Sequence, residues 1–457
     1  MKLKSAQGRW LIAATVLGSG LAFLDGTIVN IALPAIERDL GSGVAGLQWT
    51  ISAYTLSLAA LILVGGSLGD RWGRRRVFVV GVAWFAVASL FCAISPTIGV
   101  LVAARAVQGI GAALLTPGSL ALISASMDEE DRGAAIGAWS GLAGVSTAFG
   151  PLLGGWLVEA VSWRAVFYLN LPIAAGVVWI TLRHVPESKD DEVEGRIDFA
   201  GAVLTAAGLA ALTYGLVGSK VMPSLAGVAL LAAFVIQQRR SPHALVPLEL
   251  FANRTFTAAN LSTFAVYAAL SGAMFLLVLQ LQYVSGYSPL ESGVALLPIA
   301  IVMLLFSARA GRLGQRIGPR LPMTIGPMVG AAGLLLLMRI GEHAPYVTSV
   351  LPGVLIFSAG LTLLVAPLTT AVLGAAPTSH SGIASGINNA LARTASLLAV
   401  AALPPIVGIA GADFADPDVF SPGFRMATVI CAGLLIAGGV ISGVLIRNKE
   451  AVPDAVE

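Results

Sequence analysis

The chain has 457 residues, 57% hydrophobic and 11% charged, with a formal net charge of +3 and a mean hydropathy of +0.87. A soluble protein carries about 25% charged residues, so the composition excludes a soluble domain and leaves a polytopic membrane protein. The pI near 9.0 does not point to nucleic acid, because the positive excess is small and the basic residues collect in alternate loops, as insertion topology requires.

The first apolar run follows Lys2, Lys4 and Arg9 and continues past Asp25 with no small-residue cleavage site. It therefore reads as an uncleaved span rather than a signal peptide. Fourteen runs of roughly 20 residues, the length that crosses about 30 Å of hydrocarbon, lie at 10–34, 47–68, 77–95, 98–124, 133–158, 165–184, 197–217, 222–238, 256–283, 290–311, 322–340, 346–373, 381–411 and 423–446. An even count puts both termini on one side. Of the 27 Lys and Arg residues, only Arg38, Arg164, Lys220, Arg339 and Arg425 fall on the opposite side, and only Arg105 and Arg393 fall inside spans. The positive-inside rule makes the termini and basic loops cytoplasmic, in a multi-pass protein of a cell membrane whose short loops suit a bacterium.

The loop between spans 2 and 3 occurs twice. Gly66, Ser67, Leu68, Gly69, Asp70, Arg71, Trp72, Gly73, Arg74, Arg75 matches Gly311, Arg312, Leu313, Gly314, Gln315, Arg316, Ile317, Gly318, Pro319, Arg320 at six of ten positions. The two copies register spans 1–6 on spans 9–14, and Pro117 in span 4 then parallels Pro367 in span 12. The expected architecture is an all-α integral membrane protein of 14 transmembrane helices. Two pseudo-symmetric six-helix bundles (1–184 and 255–457) flank a central two-helix insertion with its connectors (185–254). Duplicated membrane halves point to alternating access.

The chain offers little to a cofactor or metal. Cys92 and Cys431 stand alone in apolar stretches, the histidines lie in or beside loops, and no Gly-rich loop is followed by Lys-Ser/Thr. No cofactor, no metal and no enzymatic activity are expected.

Four segments carry chemistry. Leu24-Asp25-Gly26-Thr27 through Pro34 holds the only carboxylate deep inside a span. Such an acid is costly and functional by default, although a structural hydrogen bond between helices would also retain it. The loop Gly66, Gly69, Asp70, Arg71, Gly73, Arg74 either fixes topology through its arginines or also latches the cytoplasmic side, with Asp70 accepting from a helix N-terminus or pairing with an arginine of the other half. Gln315 replaces Asp70 in the second copy, so that latch is asymmetric. Arg105-Ala106-Val107-Gln108-Gly109 places an arginine at the depth of Asp25; snorkelling to the outer interface is the alternative. Gly137, Gly141, Gly144, Gly150, Pro151, Gly154 and Gly155 in span 5 permit close helix approach, with a bend at Pro151.

These segments resemble the motifs of the major facilitator superfamily, in particular its fourteen-span drug:proton antiporters, over essentially the whole chain. The resemblance implies proton coupling at Asp25 with Arg105 assisting, and a conformational role for the Gly66–Arg74 loop. It also implies export rather than import, from the antiporter motif Gly141, Gly150, Pro151, Gly154 and Gly155. Trp163, Arg164, Phe167, Asn170 and Pro172 read as an interfacial anchor. The possible substrate cavity comprises Asn30, Tyr54, Gln108, Gln280, Asn388, Asn389 and Arg393; Gln282, Tyr283 and Asn260 are further candidates.

The expected activity is proton-coupled efflux of amphipathic small molecules by a protein that works as a monomer, with protons, substrate and the bilayer as its partners and no nucleic acid. A dedicated exporter of one metabolite, a solute:proton symporter and a non-transporting scaffold are the alternatives. Deep charges at Asp25, Arg105 and Arg393 are net positive, which favours neutral, zwitterionic or weakly acidic substrates over dications.

Overall fold

The computed structural model describes residues 1–189, 198–241, 243–376, 381–409 and 416–446; the side chains of 140–148 and 381 are outside that description. Among these residues there are fifteen α-helices and no strand: α1 (Ala6–Leu40), α2 (Gly43–Trp72), α3 (Arg74–Ala93), α4 (Ile98–Ser126), α5 (Glu129–Ala160), α6 (Ala165–Tyr168), α7 (Asn170–His184), α8 (Phe199–Val217), α9 (Val221–Arg240), α10 (Arg254–Leu279), α11 (Pro289–Ile317), α12 (Arg320–Leu337), α13 (Leu351–Gly374), α14 (Ser381–Ile406) and α15 (Pro417–Leu445). Hydrocarbon offers no partner for backbone N–H and C=O groups, so a spanning segment must satisfy them internally, as a helix does. Thirteen helical segments are long and apolar enough to cross a membrane, with α6 and α7 forming one of them. The 32-residue α5 lies at the fifth predicted span.

Several helices outrun their predicted spans. Hydropathy detects the apolar centre of a span, whereas the helix continues through polar interface residues until a cap stops it. α1 thus runs through Glu37 and Arg38 to Leu40, where Gly41 at φ 63° closes it. α11 starts in a capping box of Ser288 and Glu291. α14 is shorter than expected: it stops at Ile406 after Pro404 and Pro405, and Gly408 turns the chain at φ 77°.

Helices α1 to α5 and α7 pack on one another, as do α10 to α15. The α8–α9 hairpin packs on itself and meets the rest chiefly through α8, against α2 and α14. The two larger groups meet along α5–α11 and α2–α14. The repeated loops take matching shapes. Gly73 (φ 106°) and Gly318 (φ 81°) occupy equivalent positions, and both need the backbone freedom of glycine. Arg75 Nη1 donates to Val185 O at 3.1 Å, at the end of α7. Its counterpart Arg320 donates through Nε to Gly443 O at 2.7 Å, near the end of α15. Both arginines therefore neutralise a helix C-terminus.

The end of the molecule carrying the α1–α2 turn, the far end, is tied across the two groups. Gln282 Nε2 donates to Ile31 O at 3.1 Å, Leu290 N to Glu159 Oε2 at 3.2 Å and Gln48 Nε2 to Val400 O at 2.8 Å. At the opposite end the last turns of α11 expose Leu313 and Ile317. Rows such as Val80, Trp84, Val87 and Phe91 on α3 are exposed apolar faces, which a bilayer covers.

Candidate functional site

Asp25 sits at the middle of α1, 3% exposed, and Arg105 on α4 is 1% exposed. The structure brings them into an ion pair between Arg105 Nη1 and Asp25 Oδ2. Two further donors reach Asp25 Oδ1: Gln108 Nε2 at 2.9 Å and Asn170 Nδ2 at 3.2 Å. Gln108 also accepts from Arg105 Nη1 at 2.6 Å, so its amide bridges both charged partners. Ser89 Oγ accepts from Gln108 and Asn170 at 2.8 and 3.2 Å. Arg105 Nε donates to Thr50 O at 3.0 Å, and its guanidinium lies 4.4 Å from the Tyr54 ring centroid.

Glycines place these groups. A methyl at Gly109 would strike the Tyr54 carbonyl and meet Ser57 Cβ at 2.8 Å; one at Gly111 would meet Phe85 N at 2.7 Å. Only bare backbone lets α4 come this close to α2 and α3, and that approach sets Arg105 under Tyr54 and Gln108 beside Ser89. The site is thus a carboxylate and a guanidinium sealed from both water and lipid, with their polar atoms committed to each other and to neutral amides. Burial favours a neutral carboxyl, while an adjacent guanidinium and donated hydrogen bonds favour the charged form.

The structure distributes the predicted anchor between two tasks. Trp163 Nε1 donates to Asp39 at 3.0 Å and Arg164 pairs with Asp39, at the far end. Asn170 belongs to the Asp25 network, and Phe167 lies 5.8 Å from the Arg105 guanidinium. Reading Asn170 as an interfacial anchor is therefore corrected. Its run was placed at the membrane surface, but the chain dips inward through α6, so Asn170 enters α7 2% exposed. An amide among apolar residues was the only sequence signal for it, and Ser89 gave none.

The predicted cavity set also divides. Gln108 belongs to the ion-pair network, not to a cavity wall. Gln280 opens the π-turn at 280–284 and is fully buried, its Nε2 donating to Ile340 O at 2.9 Å and its Oε1 without a partner. Asn388 donates to Asn260 and Thr263 at 3.0 and 2.7 Å and ties α14 to α10. Tyr54 is buried against Arg105 and donates to Ala22 O at 3.3 Å. Asn30 bonds to Gly26 O at 3.1 Å and keeps a buried Oδ1 without a partner. Asn389 is exposed on α14, and the Arg393 guanidinium lies 5.7 Å from the Phe23 ring centroid on α1. Gln282 belongs to the far-end tie.

Asp70 pairs with Arg74 in its own loop, Nη2 to Oδ1 at 2.7 Å, instead of with an arginine of the other half. That pairing follows from α3 starting at Arg74, one turn away. Gly73 leaves room for Glu187, whose Oε1 accepts from Arg75 N at 3.0 Å; a methyl at Gly73 would meet that carboxylate at 2.7 Å.

Gly150, Pro151, Gly154 and Gly155 lie on the far half of α5, while the surroundings of Gly141 lie outside the description. Methyls at Gly150 and Gly154 would meet Thr27 Cβ at 3.1 Å and Ile28 Cγ2 at 2.9 Å, and one at Gly155 would meet Leu290 Cα at 2.8 Å. The same helix therefore touches the residues just after Asp25 on one face and α11 on another.

Residues 15–400 match the profile of the Major Facilitator Superfamily. The chain is 36% identical over 406 residues to the multidrug resistance protein Stp of Mycobacterium tuberculosis, covering 87% of this chain and 75% of that protein. It is 33% identical over 468 residues to the puromycin resistance protein pur8 of Streptomyces alboniger, covering 97% and 92%. The fold matches the crystal structure of the human organic anion transporter MFSD10 with a TM-score of 0.67 at 18% identity, over 96% and 100% of the two chains. It matches a POT family transporter in complex with a thioalcohol conjugated peptide with a TM-score of 0.72 at 13% identity, over 98% and 99%. At these identities the structural likeness concerns the fold alone. The profile match and the two bacterial relatives, each aligned over most of its length, settle the family: the chain belongs to the Major Facilitator Superfamily and is a membrane transporter, not an enzyme.

Proposed function

We propose that the protein is a proton-coupled antiporter that exports amphipathic small molecules. The observation that carries this reading is the sealed Asp25–Arg105 pair with Gln108 and Asn170 on the same carboxylate. Protonating Asp25 removes the charge that compensates Arg105, so the two protonation states prefer different packing. A transported ion can bias a conformational equilibrium only through such a difference. The far half of α5, where glycines meet both α1 and α11, supports a path from that pair to the contact between halves.

The architecture on this reading is fourteen spans, with α5 added to the thirteen apolar segments. Residues 1–184 and 255–457 form two pseudo-symmetric bundles, and 185–254 hold the hairpin and its connectors. The matched Gly73 and Gly318, and the matched Arg75 and Arg320, support the duplication. Termini and basic loops face the cytoplasm of a bacterial cell membrane, and one chain is the working unit. The far-end ties through Gln282, Glu159 and Gln48 then make this an inward-facing state. The in-loop pairing of Asp70 with Arg74 suits a cytoplasmic latch that has let go.

Multidrug export and export of a single compound both have support, since the relatives' names include multidrug resistance and puromycin resistance. Proton flux in liposomes on addition of amphipathic dyes and antibiotics tests the proposal, with wild type beside Asp25→Asn. Substrate-triggered proton movement that disappears in the variant is the expected result. Proton movement that persists would remove Asp25 from coupling. Response to one compound class alone would favour the dedicated exporter.

A further inference from the structure

Arg393 is the deep charge that the proton site does not use. It lies near the middle of α14, and its guanidinium faces Phe23 of α1 across the two halves, 5.7 Å from the ring centroid. Phe23 is likewise mid-helix in α1, so Arg393 is at depth and not at an interface. It makes no ion pair among the described residues: the only carboxylate at this level, Asp25, is committed to Arg105, Gln108 and Asn170. Tyr54 and Tyr267 are within its electrostatic reach, and Asn389 is exposed one turn away on α14.

Arg393 is half-buried, and a guanidinium held at mid-span depth without a compensating anion is costly; the face of one phenyl ring offsets only part of that cost. Snorkelling does not relieve it at mid-helix. Five N–H donors in a planar fork match a carboxylate or sulfonate in a way that lysine does not.

We propose that Arg393 is an anion-binding subsite of the substrate cleft, taking the carboxylate or sulfonate of an aromatic amphipathic monoanion whose flat body lies against Phe23. This rests on the reading that the cleft between the halves holds substrate, and it names the class. Asp25 keeps its own compensation, so the anion binds without displacing the Arg105 pair. Export of a monoanion against one entering proton moves two charges inward per turnover, so a membrane potential negative inside drives it more strongly than it drives export of a neutral molecule.

The test uses the full chain in nanodiscs of zwitterionic lipid at neutral pH, with radiolabelled 2-naphthoate and 2-naphthamide as a pair matched in shape and differing in charge. Wild type is expected to bind the naphthoate at least tenfold tighter. Arg393→Gln should erase that preference, and Arg393→Lys should keep part of it. Ligand-free Arg393→Gln should melt no lower than wild type, since it removes an uncompensated charge. The proposal is overturned by equal binding of the two probes to wild type, by a preference that survives Arg393→Gln, or by a lower melting temperature for that variant. Loss of proton coupling in Asp25→Asn leaves this outcome untouched, so the two readings fail separately.

Discussion

Replacing Asp25 with Asn removes one charge while nearly keeping the shape. The new amide can still accept from Gln108 and Asn170 through its oxygen, which preserves two of the observed bonds. Its NH2 group then faces the Arg105 guanidinium, donor against donor, where the carboxylate accepted. Both side chains of the pair are 1% exposed, so water cannot solvate the orphaned cation. Breaking a buried pair by removing one partner costs about 3–5 kcal/mol. Removing both should cost much less, because no uncompensated charge remains. Thermal unfolding in detergent, followed by tryptophan fluorescence, gives the cycle of wild type, Asp25→Asn, Arg105→Gln and the double variant. Each single variant should melt clearly below wild type and the double variant above at least one single. A double variant less stable than both singles would refute the argument, because the two residues would then act independently. So would an Asp25→Asn protein that melts with wild type.

Gly155→Ala forces apart α5 and Leu290, where the added methyl would come within 2.8 Å of Cα. The overpacking should cost about 1–3 kcal/mol and slow transport while membrane insertion stays normal; transport at the wild-type rate counts against the contact. Gln282→Ala removes the donor to Ile31 O, a bond worth about 1 kcal/mol. The far-end-open population should rise about fivefold, read by distances between spin labels on α1 and α10; unchanged distances would mean that the tie contributes nothing. Asn170→Leu leaves the Asp25–Arg105 pair but removes a donor from Oδ1. It should shift the pH dependence of proton release on substrate addition, and an unchanged profile would confine Asn170 to packing.

The span pattern was legible because hydropathy directly records what hydrocarbon requires. The near coincidence of Asp25 and Arg105 was legible from depth alone, since two antiparallel helices place each residue at a countable distance from the surface. What depth cannot give is rotation about a helix axis. Gln280 and Asn388 are polar and mid-span and so read as cavity residues, yet Gln280 donates to Ile340 O in the connection after α12, with its Oε1 left unpartnered, and Asn388 donates to Asn260 and Thr263 of α10. Asn170 failed for a different reason: its helix begins with a break at Leu169, and a hydropathy window sees no break. Asp70 shows a third limit. A sequence names groups that are able to pair, but the conformation decides whether the partner is Arg74 in the same loop or a residue in the other half.

The magnitudes bear on whether this site could drive alternating access. Swinging a two-state equilibrium from 1:99 to 99:1 takes about 5.5 kcal/mol of differential affinity. Protonating Asp25 leaves Arg105 uncompensated in the packing seen here, at a cost of about 3–5 kcal/mol, so one proton could supply most of that difference. This holds only if the other state offers Arg105 a better environment and if the strain reaches the contact between halves. Thr27 and Ile28 follow Asp25 on α1 and lie against Gly150 and Gly154, while Gly155 of the same helix lies against Leu290 of α11. Close-packed interfaces of this kind rearrange discretely instead of deforming, so a shift of α1 would be passed to α11 and not absorbed. A lever of this kind requires that Gly154→Ala uncouple the protein without unloading it. Substrate should still bind, proton movement on substrate addition should shrink, and the Asp25–Arg105 stability cycle should keep its coupling energy. Loss of that coupling energy in Gly154→Ala would mean that the methyl disturbs the pair itself, and the lever would have to lie elsewhere.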